Sequence, residues 1–89
     1  MKVDVIFYSN KRKTPPCGYV YRPHFIVKGG NEYLGVQFDN FDCFPFGTHI
    51  CCNVKLLYDG VNYSKLTANT QFFIMEVANV VGEGMVKKC

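Results

Sequence analysis

The chain has no tryptophan, few charges and no long apolar run. Charged residues fill only 19% of its 89 positions while 48% are hydrophobic, which excludes a disordered, self-repelling polymer. Asp4 interrupts the first apolar stretch and Lys11-Arg12-Lys13 ends it. The sequence therefore offers neither a secretory apolar segment nor the roughly 18 consecutive apolar residues of a membrane span. A cytoplasmic location with no membrane role is expected. No G-x-x-x-x-G-K-[ST] run exists to cradle phosphates. Gly82-x-Gly84 cannot replace it, because it lies inside a predicted strand with no helix after it. The length leaves no room for a second core, which excludes an enzyme with separate cofactor and substrate domains.

Helical periodicity is also missing. β-branched and aromatic residues, including eight Phe and six Tyr, come in short runs punctuated by Gly, Pro, Asn and Asp. Val3 to Tyr8 is the first, with Val3, Val5 and Phe7 on one face. Tyr19 to Lys28 holds the second, and Pro23 places its clear part at His24 to Val27. Gly29-Gly30-Asn31 signals a hairpin, followed by Glu32 to Phe38 with Leu34, Val36 and Phe38 on one side. His49 to Tyr58 is the longest predicted strand. Tyr63 to Leu66 suits a single helical or 3₁₀ turn. Gln71 to Glu76 and Val80 to Lys87 are the last two strands, with a tight turn at Ala78-Asn79. Gly82 and Gly84 strip side chains from one face, as a close backbone approach requires. Six strands with frequent turns predict a small antiparallel barrel or sandwich, and closure removes the exposed edges that so apolar a chain cannot leave open.

Five cysteines, Cys17, Cys43, Cys51, Cys52 and Cys89, are an odd count. Adjacent Cys51 and Cys52 on a strand point to opposite faces, so they do not bridge each other. The nearest approach to zinc ligands is His49-x-Cys51 with Cys43 upstream, short of the usual pattern. Metal or thiol chemistry is the third-ranked reading, behind Cys51 or Cys52 as a small buried hydrophobe. His24 as a base with Cys17 or Cys43 as nucleophile lacks any local signature. No enzyme, cofactor or metal is expected.

Two segments then become specific. Thr14-Pro15 followed by Tyr21-Arg22-Pro23-His24-Phe25 resembles the T-P-…-Y-R-P-Q-F segment in the C-terminal β-barrel, the third domain, of bacterial elongation factor Tu. Gln71-Phe72-Phe73-Ile74-Met75-Glu76 with Val80-Val81-Gly82-Glu83-Gly84-Met85-Val86-Lys87 is similar to that domain's closing hairpin, R-F-A-I-R-E-G-G-R-T-V-G-A-G-V-V. The resemblance spans the whole chain. It implies a six-stranded antiparallel Greek-key barrel over 1–89, a translation-related setting and a domain that docks other protein surfaces. In the family the hairpin also helps hold the T-stem of aminoacyl-tRNA. Here the position of the family's arginine is Met75, which cannot make a charge-assisted hydrogen bond to phosphate.

The expected function is therefore a non-catalytic, protein-binding module. Its candidate surface is the closing hairpin around Met75, Glu76 and Val77, with Tyr21, Arg22 and the Lys11, Arg12, Lys13 loop beside it. The second reading is an RNA- or tRNA-binding module acting through Arg22, Lys11, Arg12 and Lys13, with Lys2, Lys87 and Lys88 added if they cluster. A net charge of +3 is weak for that purpose. The tyrosines are expected to fill the barrel with their hydroxyls at its rim, rather than to form a stacking platform. Partner identity and oligomeric state are not readable from the residues.

Overall fold

A computed structural model describes residues 1–16, 20–39 and 44–87. The alternation of Val3, Val5 and Phe7 with polar neighbours becomes strand β1, Lys2–Phe7, with those three side chains wholly buried. Strand β2 is His24–Val27, β3 Leu34–Phe38, β4 Ile50–Leu56, β5 Gln71–Glu76 and β6 Asn79–Val86. No helix occurs among the described residues. All pairings are antiparallel, and the order β1-β4-β3-β2-β5-β6 closes on itself because β6 returns to β1. β2, β3 and β4 form a meander while β1 lies beside β4, which is a Greek-key order. The protein is thus an all-β, closed six-stranded barrel, as expected.

Some boundaries follow the sequence reading and others differ from it. The second run keeps the clear part that its sequence marks, since β2 is His24–Val27, directly after Pro23. Pro23 has no N–H to donate, although its carbonyl accepts from Val36 at 3.1 Å, and Tyr21 keeps one isolated bridge to Phe38. The longest strand is β6, with eight residues, not β4, with seven. The last turn is Val77-Ala78, because Glu76 pairs with Asn79. Ile74 pairs with Gly82 but Met75 with Val80. Val81 is therefore an extra residue on β6, a bulge that shifts the register before the turn. The Gly29-Gly30 hairpin forms as expected, with Gly29 at φ +89° and the Gly30 N–H donating to the Val27 carbonyl at 2.8 Å. A turn closes over Tyr63 to Leu66 through a 2.9 Å bond from the Leu66 N–H to the Tyr63 carbonyl.

Inside the barrel Phe25 and Phe72 stack at 3.9 Å, and Phe7 stacks on Phe44 at 5.5 Å near one end. Such ring pairs add to an already large apolar burial. The β1–β6 seam depends on absent side chains. A Cβ on Gly84 would lie 2.6 Å from the Asp4 carbonyl oxygen and 2.8 Å from both Phe72 Cζ and Val5 Cγ1. A Cβ on Gly82 would strike the Ile6 carbonyl oxygen. The glycine pair serves the close backbone approach that its spacing suggests.

The connections segregate by end. The β1–β2 and β3–β4 loops and the Val77-Ala78 turn share the end marked by Phe7 and Phe38. The β2–β3 hairpin, the β4–β5 connection, Lys2 and Lys87 share the other.

Candidate functional site

Glu76 ends β5 at the loop-rich end of the barrel, and two other segments converge on it. Arg12, from the β1–β2 loop, sets its Nε 3.0 Å from Glu76 Oε2 and 3.2 Å from Oε1. The Tyr21 hydroxyl donates to Glu76 Oε2 at 2.5 Å. The Arg12 guanidinium also lies over the Tyr21 ring, 5.7 Å from its centroid, and its Nη1 donates to the Thr14 carbonyl at 3.1 Å. The ring of Tyr21 packs on Phe7 and Phe38, so the cluster caps the aromatic core. Burial pushes the Tyr21 hydroxyl far above the ordinary tyrosine range, and its hydrogen bond to Glu76 and that group's charge push the same way. Three of the sequence-predicted site residues are thereby brought together.

The others divide. Lys11 and Lys13 flank Arg12 in the chain, are exposed, and make no ion pair among the described residues. Val77, next to Glu76, is 86% exposed. Its φ of +57° is a left-handed value that a β-branched residue resists. Positive φ at the first residue of a two-residue hairpin loop is a position that glycine or asparagine usually fills. Met75 is only 6% exposed and pairs with His24 and Val80, so it belongs to the packing and not to the accessible face. Arg22 points away from the cluster, donating from Nε to Gln37 Oε1 at 2.8 Å on the barrel wall. Val20, 57% exposed, adds a second apolar side chain beside Tyr21.

Lys2 and Lys87 do not join the Lys11 to Lys13 loop. They meet at the far end of β1, where the Lys87 N–H donates to the Lys2 carbonyl at 2.9 Å. Lys88 lies outside the described residues, as do Cys17, Cys43 and Cys89 with the roles considered for them. The tyrosines only partly follow the rim pattern. Tyr21 packs its ring on the core and holds its hydroxyl to Glu76 at the rim, as expected, while Tyr63 donates to the Gly35 carbonyl at 2.6 Å. Tyr33 and Tyr58 are exposed on the wall, Tyr58 lying over Gly35 and Tyr33 edge-on to His24.

A second polar system, absent from the sequence reading, crosses the outer wall. Tyr8 donates to Glu83 Oε1 at 2.6 Å, and Lys28 Nζ lies 2.9 Å from Glu83 Oε2 while sitting over the Phe73 ring at 5.0 Å. The Tyr8 hydroxyl is pushed up to about 12, first by burial and then by Glu83. Glu83 is held below the usual carboxylate range, chiefly by the hydrogen bonds from Tyr8 and Lys28. Beside it, His49 Nδ1 lies 2.9 Å from Asp4 Oδ1. A groove of about 240 Å³ runs between these groups over Ile6, Gly84 and Met85. The only sequence signal for this system is Glu83 itself, a lone charge between two strand glycines.

No hydrogen bond joins a cysteine to a histidine among the described residues, His49 being paired with Asp4. Cys51 is exposed, and the Cys52 thiol is pushed up to about 12, first by burial, which favours its protonated form. No three His, Cys, Asp or Glu side chains among the described residues are placed to share a metal ion. No helix among them is long and apolar enough to cross a membrane. No protein-family model and no curated protein matches the chain.

Proposed function

We propose that the chain is a non-catalytic protein-docking module. It is built on the plan of the third domain of elongation factor Tu, and its contact face is the loop-rich end of the barrel. The closed six-stranded antiparallel barrel is compatible with such a domain, and the two sequence motifs fall on β2 with its approach and on the β5–β6 hairpin. In this reading the module works in the cytoplasm, near translation, and needs no cofactor.

The observation that carries the reading is the state of the two arginines. Arg12 is committed to Glu76, and Arg22 is turned to the barrel wall, where its Nε donates to Gln37, whereas Val77 and Val20 stand in solvent. A face built to hold phosphates would leave the guanidinium of its central arginine open for bidentate contacts, and Arg12 is instead paired with Glu76. The side chains open at this end mix the apolar Val77 and Val20 with polar neighbours such as Ser9, Asn10 and Asn79 and with Lys11 and Lys13, a mixture that suits a protein surface.

The test is a gel-shift and anisotropy titration with tRNA and with total RNA, from low to physiological salt. No binding is expected even at low salt. RNA affinity that falls steeply with salt, and disappears in the Lys11→Ala/Arg12→Ala/Lys13→Ala variant, would replace this reading with the RNA-binding one.

A further inference from the structure

Among the described residues Val77 is the most exposed large hydrophobic side chain. It is also held in a backbone conformation that glycine or asparagine adopts far more readily. Single exposed hydrophobic residues are common and need no explanation. An exposed β-branched residue at positive φ is different, because the fold gains nothing from its side chain and is strained by it. The Arg12–Glu76 pair fixes where this side chain sits: Glu76 precedes it, and the loop carrying Lys11 and Lys13 is tied to Glu76 through Arg12. Val77 thus projects from the same end of the barrel as Lys11 and Lys13, which are exposed and make no ion pair among the described residues.

We infer that Val77 is the anchor of the docking face, seating in an apolar pocket of a partner protein whose rim carries carboxylates opposite Lys11 and Lys13. This rests on the protein-docking reading above. The partner chemistry follows from complementarity. A projecting valine requires a concave apolar receptor, and two exposed lysines on the loop that Arg12 ties to Glu76 select an acidic rim and repel a basic one.

The experiment places a photo-crosslinking amino acid at position 13, so that trapping does not depend on Val77. The trapped protein is identified, purified and titrated calorimetrically against the wild-type chain, Val77→Asn and Lys11→Glu/Lys13→Glu. Asparagine tolerates positive φ, so the first variant keeps the fold, which thermal unfolding checks. The expected result is a Kd raised about tenfold or more by Val77→Asn, the scale of desolvating one valine side chain. The charge reversal is expected to weaken binding most at low salt. A partner that binds Val77→Asn with unchanged Kd overturns the anchor and leaves the docking reading standing. Unchanged affinity in the charge reversal removes the acidic rim. If no trapped protein binds the purified wild-type chain, the docking reading itself fails and the anchor goes with it.

Discussion

At the scale of single residues, the loop-rich end trades stability for the side chain it displays. Val77 at φ +57° is the clearest case. Non-glycine residues held in this region cost on the order of 1–3 kcal/mol. Val77→Asn is therefore expected to raise the unfolding free energy by about 1 kcal/mol. For a domain of this size that is a rise in Tm of about 4–8 °C. Urea and thermal unfolding of the two proteins check it, and an unchanged or lower midpoint would mean that the backbone there is not strained. The turn was misplaced by sequence for a related reason. Val-Ala carries no turn chemistry, whereas Asn79 does, so the eye moves the turn one residue onward to Ala78-Asn79. Met75 misleads in the same way. It aligns with the arginine of the resembled family's hairpin, yet its side chain is covered, whereas its neighbour Val77 is exposed and Glu76 meets Arg12 and Tyr21.

At the scale of elements, the period-two alternation made the walls readable. Val3, Val5 and Phe7, and again Leu34, Val36 and Phe38, go inward as their spacing demands. The seams between strands were less readable, because closure sets them. Arg12 meets Glu76 across 64 positions of sequence, and Tyr8 meets Glu83 across 75. No local pattern announces such pairs. The glycine pair of β6 is the exception, since a missing side chain can be read directly as a close approach. Gly84→Ala should therefore cost about 2–3 kcal/mol, because two of the nearest atoms are a backbone oxygen and a β-branched methyl that cannot swing aside. Gly60→Ala, where an added Cβ meets nothing within 4 Å, is the control and should change stability by less than about 0.5 kcal/mol. Equal midpoints for the two variants would show that the β1–β6 seam is looser than this geometry.

At the scale of the whole molecule, one polar strap runs around the barrel wall. Lys28, just after β2, reaches over Phe73 of β5 to Glu83 of β6, which in turn accepts from Tyr8, just after β1. Four strands are thereby joined by side chains outside the barrel while rings fill the inside. The strap makes stability depend on pH at both extremes. The Tyr8 hydroxyl rises from 10.0 to about 12 on folding. Above pH 10 the unfolded chain loses this proton while the native state keeps it, so stability is full below about 10 and drains away as pH climbs toward about 12. Tyr21, raised by burial against the core, acts in the same direction. Glu83 is lowered instead, so its contribution is present above the ordinary carboxylate value of 4.5 and is lost as pH falls below it. Urea midpoints measured across pH should therefore decline on both flanks. Tyr8→Phe should flatten the alkaline flank without removing the part due to Tyr21, and Glu83→Gln should flatten the acid one. An alkaline decline of equal steepness in Tyr8→Phe would place the titrating groups elsewhere and leave the strap as a surface contact of little weight.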